Sequence, residues 1–506
     1  MSDTLNNMIK RNRNETIDGL IELVRGYNPK ADFDMIRLAY DFAEEAHRGQ
    51  TRKSGEPYIT HPLSAAYILA DIRIDPIIVI ATLLHDVPED TSRTLEDVEK
   101  NFGSEVASMV RGITKLGKLK YRGVERYIEN LRKMFVAMAE DIRVMIIKFA
   151  DRIHNLETLD ALPPQKRYRI ALESLEIYAP IANRLGMDDI KGQLEDLSFK
   201  HVYPKEYERV KKIRDERLQG KEKYVATIIK RASEELIKAG ITPISTEGRN
   251  KRLYSLYRKL LRKNNDINKV YDLVAIRIVV KTVGECYATL GILHHVWTPM
   301  KGRIKDYISQ PKPNDYQSLH TSVFGDEGEV VEFQIRTEEM DENAEFGIAA
   351  HWHYTESGSR MPSREIKWVK ELAEIQKDIL NKLSDLEEIK VDFLQSRIFV
   401  FTPKGDVIDL PEGATSIDFA YHIHSEIGNK CTAAIVNDKM VSLDTELNNG
   451  DVVEIVTDKN RKLPSQDWLK IVKTHSAREH IRNALRQDGK MTIRKLLKSV
   501  MPGKKG

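Results

Sequence analysis

Apolar residues recur at helical spacing from Asp32 to about Lys200, as at Met35, Leu38, Ala39, Phe42 and Ala46, with breaks at Gly and Pro. The pattern predicts an all-helical block. Thr94 followed three residues on by Asp97 reads as a capping box, and Gly103 as the end of the segment it opens. Between Glu195 and Gly240 the helical period persists but charge dominates, as in Lys211-Lys212-Ile213-Arg214-Asp215-Glu216-Arg217, which predicts a solvated connecting element. Beyond Gly240 the period changes, because Val270 to Val280 is rich in β-branched residues and Val330 to Arg336 alternates apolar with polar. A mixed α/β domain is expected there, with helices over Gly284–His295 and Glu338–His351 and a longer amphipathic helix over Ile366–Leu386. From Arg397, two strand runs around Pro403-Lys404-Gly405-Asp406 predict a hairpin and a small β-rich domain to about Asp458. After Asp467 the chain reads as helical and basic, with a frayed end at Pro502–Gly506. The expected divisions are 1–195, a helical linker 196–240, 241–390, 397–458 and 459–506.

A length of 506 residues suits several domains, and Lys+Arg 80 against Asp+Glu 77, a formal net charge of +3, excludes a globally basic nucleic-acid coat. Only local basic patches then need explaining. The two cysteines, Cys286 and Cys431, lie far apart without a CxxC partner, which disfavours a disulfide framework and a thiolate zinc site. Met1 to Arg13 is polar, and no stretch approaches about 18 uncharged apolar residues, so a cytoplasmic, non-membrane protein is expected.

Chemistry concentrates first around Leu83-Leu84-His85-Asp86-Val87-Pro88-Glu89-Asp90. Two imidazoles with two carboxylates suit Mn²⁺ or a similar octahedral ion better than a structural zinc, and His61, His85, Asp86 and Asp151 are the candidate ligands. Pro88 disfavours helix at Val87, which places Glu89 and Asp90 on a turn beside the pair, as a general acid/base couple acting on water at the ion. Asn155 and Thr158 lie about a turn beyond Asp151, on a face that reaches either a nucleotide or an ordinary cap.

A second set begins at Arg249. Positions 251, 255 and 259 share one face if the segment is helical, so Lys251, Ser255 and Lys259 with Arg249 form either a phosphate clamp or a solvated charged face. Asp272 leads one strand run, while Glu332, Gln334 and Arg336 occupy the polar face of another. Opposed carboxylates at Asp272 and Glu332 would hold Mg²⁺ and deprotonate a hydroxyl for phosphoryl or pyrophosphoryl transfer.

The first constellation resembles the HD phosphohydrolases. Arg52-Lys53-Ser54-Gly55-Glu56-Pro57-Tyr58-Ile59 before His61-Pro62, and Arg303-Ile304-Lys305-Asp306-Tyr307-Ile308 with Lys312-Pro313-Asn314-Asp315-Tyr316-Gln317-Ser318-Leu319-His320-Thr321, are similar to the long RelA/SpoT family of bifunctional Rel enzymes. The resemblance implies a multidomain α+β chain: an all-α HD hydrolase domain, a mixed, nucleotidyltransferase-like synthetase domain and a small β-grasp-like TGS domain, truncated thereafter. It implies that Arg52 and Lys53 touch nucleotide in the first domain. In the second, Tyr316 stacks on guanine and Asn314 reads its edge, while Arg277, Arg303, Lys305, Lys312, Gln317 and His320 contact phosphates or shape the pocket. A loop aromatic covering a core edge is the alternative for Tyr316. Arg303 to Asp306 fits the basic RxKD form linked to bifunctional members, whereas Asn250 and Arg252 depart from the family's usual Pro and His. In the TGS segment His422 and His424 would lie near a tRNA 3′ end.

The implied activity moves pyrophosphate from ATP to the 3′-hydroxyl of GDP or GTP in the second domain and hydrolyses the 3′-pyrophosphate of (p)ppGpp in the first. Cofactors are then Mg²⁺ and Mn²⁺ respectively, with tRNA and the ribosome as TGS partners. Two other readings stay open: chiefly a (p)ppGpp hydrolase with a weak synthetase half, or a tRNA- or ribosome-binding regulator whose nucleotide sites only sense.

Overall fold

The computed structural model describes residues 15–117, 134, 137–138, 140–219, 221–267, 270, 273–312, 314–353, 397–404, 406–448, 450–461 and 463–486. The chain divides into two compact units near Gln376. The expected helix over Ile366–Leu386, Asp272, and the tail from Pro502 lie outside the described residues.

The first unit opens with the expected helical block: α1 (Ile17–Tyr27), α2 (Phe33–Ala46), α3 (Thr60–Asp71), α4 (Pro76–Leu84), α5 (Val87–Asp90), α6 (Leu95–Gly117), α7 (Arg143–Glu157), α8 (Pro164–Glu173), α9 (Ala179–Arg184) and α10 (Asp188–Val202). Helix α4 is apolar all round and buried from Ile78 to Leu84, so it forms the axis against which α3 packs, and α3 also meets α7. Asp75 accepts from the Ile77 amide at 2.9 Å, and Pro76 takes the first helical position, where its missing donor is harmless. The Thr94–Asp97 capping box forms, with the Thr94 amide donating to Asp97 Oδ2 at 2.8 Å and the Asp97 amide to Thr94 Oγ1 at 3.2 Å. Gly103, at φ +85°, ends that helix, and a second helix restarts directly behind it within α6.

Helix α11 (Pro204–Leu218) is the solvated element its charge predicts, burying only Val210. Helix α12 (Glu222–Lys238) is charged on one side alone. Its Ile228, Ala232 and Leu236, spaced i, i+4, i+8, enter the core of the sheet domain that follows, so half of the expected linker is core.

That domain comprises β1 (Ser245–Asn250), α13 (Leu253–Arg262), β2 (Val274–Val280), α14 (Val283–Val296), β3 (Lys305–Asp306), β4 (Leu319–Phe324), β5 (Val330–Thr337), α15 (Glu338–Phe346) and α16 (Ile348–His353). The sheet order is β1-β2-β5-β4-β3, with β2 and β5 parallel and the remaining neighbours antiparallel. One face is apolar: Ile276, Ile278, Leu319, Val323, Val331, Phe333 and Ile335 pack under α12 and α14. The single helix expected over Glu338–His351 is broken at Gly347, whose φ of +55° only glycine adopts readily.

The second unit begins with β6 (Arg397–Phe401) and β7 (Val407–Pro411), the expected hairpin, paired from Arg397↔Pro411 to Phe401↔Val407. Then come α17 (Ser416–Ile423), α18 (Ser425–Lys430), β8 (Cys431–Val436), β9 (Lys439–Val441) and β10 (Val453–Thr457), the last three forming a sheet of order β10-β8-β9. Packing continues past Asp458, because Trp468, Val472, Ala477 and Ile481 share a buried cluster with Ile417, Ala420 and Tyr421 of α17. Asp418, fully buried, caps α17 through Thr415 and accepts from the amides of Lys473 and Thr474 at 3.0 and 2.8 Å.

Candidate active sites

Helices α3, α4 and α7 bring His61, His85, Asp86 and Asp151 together. His61 Nε2 lies 3.1 Å from Asp151 Oδ1 and 3.5 Å from Asp86 Oδ2, and His85 Nε2 lies 3.1 Å from Asp86 Oδ1. Ligand atoms of His61, His85 and Asp86 all fall within 4.8 Å of one another. The hydrogen-bond network assigns the tautomers. Arg52 Nη1 can only donate, so His154 Nδ1, 2.9 Å away, accepts, and His61 Nδ1 must then donate to the same atom at 2.7 Å. Burial holds His61 below the ordinary histidine range, hence neutral, with its Nε2 lone pair facing two carboxylates. His85 repeats the arrangement: Nδ1 donates to the Thr82 carbonyl at 2.7 Å, leaving a buried Nε2 without a hydrogen-bond partner. Lone pairs directed at carboxylate oxygens repel unless a cation lies between them, so this donor set fits a divalent ion.

Burial alone would raise the Asp151 carboxyl, but Lys148 and His61 outweigh it and hold the group well below the usual range. Lys148 Nζ lies 2.5 Å from Asp151 Oδ2. Val87 opens the one-turn helix α5 with Pro88 in its first turn, correcting the expected non-helical turn: proline is disfavoured behind a helical residue but tolerated where no intrahelical donor is needed. Glu89 and Asp90 are exposed on α5, the turn of helix directly after the His85–Asp86 pair. The Tyr58 hydroxyl joins the two acidic groups, 3.0 Å from Asp86 Oδ2 and 2.7 Å from Asp90 Oδ2. Arg52 Nη2 donates to Asn155 Oδ1 at 2.9 Å and Thr158 Oγ1 at 3.2 Å, so these three meet beside the cluster, while Lys53 is exposed on the adjoining turn.

The second site is the polar face of the sheet. Strand register aligns Lys305, His320, Gln334, Arg277 and Glu247 in one cross-strand row, and Ser322, Glu332, Ala275 and Arg249 in the next. His320 Nδ1 lies 3.1 Å from Glu332 Oε1 and its Nε2 lies 2.8 Å from the Tyr316 hydroxyl. Burial keeps His320 below its ordinary range, so Nδ1–H donates to Glu332 and Nε2 accepts from Tyr316. Arg277 pairs with Glu345, Glu247 (2.9 Å) and Asp341 (3.1 Å); Arg249 lies 3.3 Å from Glu345, and the fully buried Arg336 lies 2.7 Å from Asp341. Lys312 Nζ stands 4.2 Å from the Tyr316 ring centroid and 4.7 Å from that of Tyr307, and burial lowers its amine to about 8. The ring face given to guanine by resemblance therefore carries a cation here. Asn314 Nδ2 donates to the Asn183 carbonyl of α9 at 3.2 Å, and Gln317 Nε2 to the Ile308 carbonyl at 3.3 Å. Arg303 and Lys305 are exposed on the rim. Lys251 does not share the helix of Ser255 and Lys259: α13 starts at Leu253, and the Lys251 amide is drawn to the Leu273 carbonyl at 3.2 Å.

Residues 39–188 match the HD domain, 248–359 the region found in RelA / SpoT proteins, and 398–457 the TGS domain. The chain is 43% identical to the bifunctional (p)ppGpp synthase/hydrolase SpoT of Escherichia coli K12 over 494 residues, covering 96% of this chain and 70% of that protein. The chain belongs to the RelA/SpoT family. It is also 46% identical to a GTP pyrophosphokinase of Myxococcus xanthus, over 92% of this chain and 62% of that one. Against a guanosine-3′,5′-bis(diphosphate) 3′-pyrophosphohydrolase of Aquifex aeolicus it is 47% identical, over 89% and 64%. It thus spans less than two thirds of the length of these last two RelA/SpoT relatives.

Several residues of this RelA/SpoT chain escape motif reading because their role depends on partners distant in sequence. Tyr58 sits inside a quoted motif and His154 directly before Asn155, yet they gain meaning only from contacts, His154 with His61 and Tyr58 with Asp86 and Asp90. Arg336 follows Glu332 and Gln334 at the strand period, the one signal that pointed to it. Asp341 and Glu345, one helical turn apart on α15, carried no such signal. In the TGS domain His422 is exposed, whereas His424 caps α18, its Nδ1 accepting from the Glu426 amide at 3.2 Å. Among the described residues, no helix is long and apolar enough to cross a membrane.

Proposed function

We propose that the chain is a cytoplasmic, bifunctional alarmone enzyme that makes (p)ppGpp on the polar face of the sheet and hydrolyses its 3′-pyrophosphate at the histidine–aspartate cluster. The observation that supports this reading is the presence, in one compact unit, of two separate clusters, the His61–His85–Asp86–Asp151 donor set and the Glu332–His320–Tyr316 group among cations on the sheet. In the helical block, His61, His85, Asp86 and Asp151 would hold a divalent ion, Mn²⁺ by ligand type, which supplies Lewis acidity and activates water. Asp90, fixed by Tyr58, and Glu89 handle protons there, while Arg52, Lys53, Asn155 and Thr158 receive the nucleotide.

On the sheet, Glu332 takes the proton of the 3′-hydroxyl of GDP or GTP, oriented by the hydrogen bond from His320. The freed oxygen attacks the β-phosphorus of ATP and AMP leaves with the bonding electrons, while Arg249, Lys251, Ser255, Lys259 and Arg277 balance the migrating charge. Lys305 and Lys312 take the acceptor phosphates, Arg303 and Gln317 border the pocket, and Tyr316 with Asn314 takes guanine once Lys312 has left the ring. Asp272 with Glu332 would hold Mg²⁺. His422 offers an exposed imidazole for stacking on tRNA.

The test is separability. Glu332→Gln should lower synthesis by about 10²–10⁴-fold and leave hydrolysis intact. His85→Ala should abolish hydrolysis and Mn²⁺ binding and leave synthesis intact. Loss of both activities in one folded variant contradicts two chemically separate sites.

A further inference from the structure

The phosphate-clamp residues Arg249, Lys251, Ser255 and Lys259 span a sharp change of direction. Arg249 ends on β1, and α13 begins at Leu253. Arg252, at that corner, is the N-terminal cap residue of α13 yet makes no side-chain cap bond of its own. Its guanidinium leaves the sheet domain altogether. Nη2 lies 2.5 Å from Asp189 Oδ1 on α10 and donates to the Asp189 carbonyl at 3.3 Å. The other Asp189 oxygen accepts from Gln193 Nε2 at 2.6 Å, which holds the carboxylate in place.

Between Asp189 and Asp196 stands Gly192. A Cβ there would lie 2.1 Å from Arg252 Nε and 2.3 Å from Cδ, so the arginine crosses α10 only because that position has no side chain. One turn further, Asp196 Oδ1 accepts from the Tyr254 amide at 2.9 Å and caps α13 in place of a local residue. Positions 189, 192 and 196 fall on one face of α10. A single face of α10, the last helix of the helical block, thus seats the corner of the clamp: one carboxylate for the guanidinium, one gap for its stem, one carboxylate for the Tyr254 amide.

We propose that Arg252, seated by Asp189 and Gly192, is a positioning residue for ATP: it sets the angle between Arg249 on β1 and Ser255 and Lys259 on α13, without touching the nucleotide itself. The inference rests on the synthetase reading above. Cutting the seat lets α13 swing at the corner, so the triphosphate loses simultaneous contact with both arms of the clamp.

The test is calorimetric titration of the full chain with α,β-methylene-ATP and Mg²⁺. Arg252→Ala and Asp189→Ala should each weaken binding about tenfold, and the double variant no more than either alone. Gly192→Ala should weaken it similarly in the native background and have no effect in Arg252→Ala. (p)ppGpp hydrolysis, retained in every variant, reports the fold. Unchanged affinity in Arg252→Ala, or additive effects of the two substitutions, overturns the proposal. So does tighter binding in Asp189→Ala, since a freed Arg252 would then be contacting phosphate directly. If the unmodified chain binds no analogue, the synthetase reading itself fails, an outcome distinct from variants that match a binding parent.

Discussion

Lys312 shows what a single residue adds once its surroundings are known. Between Tyr307 and Tyr316 its amine is lowered by burial to about 8 from an ordinary 10.5, so between those values the unfolded chain holds a proton that the folded one has released. Stability from this group therefore rises with pH across that window. Lys312→Gln should remove the rise, read as the difference between variant and parent in denaturant midpoint from pH 7.5 to 10; identical pH slopes would contradict a buried amine at this position. That charged and polar residues of the motifs gather on the sheet was legible in the sequence, because strand period puts Arg277, Glu332 and Gln334 on the polar face. Their pairing was not. That Glu332 is held by His320, or that Arg277 and Arg249 share Glu345, depends on strand register and on a helix from elsewhere in the chain.

Elements followed the hydrophobic period wherever one face meets the core, as in α2, β5 and the β6–β7 hairpin. The pattern failed where tertiary contact overrides it. Strand β3 has two residues and no period of its own, existing only through Lys305↔His320 and Asp306↔Leu319. Helix α12 looked solvated because its charged face dominates the composition, although three apolar positions suffice to bury the other face. At the far end, Asp418 is a buried anchor that ties α17 to the segment after Asp458, with donors from Thr415, Lys473 and Thr474. Asp418→Ala leaves those buried donors unpaired and should cost roughly 2–3 kcal/mol, with amide exchange of 466–474 accelerating before that of β8. Equal protection in variant and parent would refute the role.

At the scale of the whole molecule, the proposed pair of reactions run together would consume ATP to no effect, so on that proposal the two sites are expected to oppose one another. The charged stretch 195–240 connects the two domains in sequence. Helix α10 is better placed: it packs against α7, which bears Asp151, against α13, which bears Ser255 and Lys259, and against α15, which bears Asp341 and Glu345. Saturating the HD site with a non-hydrolysable (p)ppGpp analogue should change the synthesis rate about fivefold or more in the full chain, and an unchanged rate would remove the coupling. The buried partnership of Trp468 and Ile481 with Tyr421 has a practical corollary for dissecting the protein. A fragment cut where the TGS match stops, at residue 457, would strip an indole and three aliphatic side chains from the back of α17 and leave the Asp418 carboxylate short of the Lys473 and Thr474 amides. Such a piece should precipitate or recruit foreign partners, and apparent ligands found with it would report the wound of the cut; a fragment carried through residue 486 keeps that surface closed.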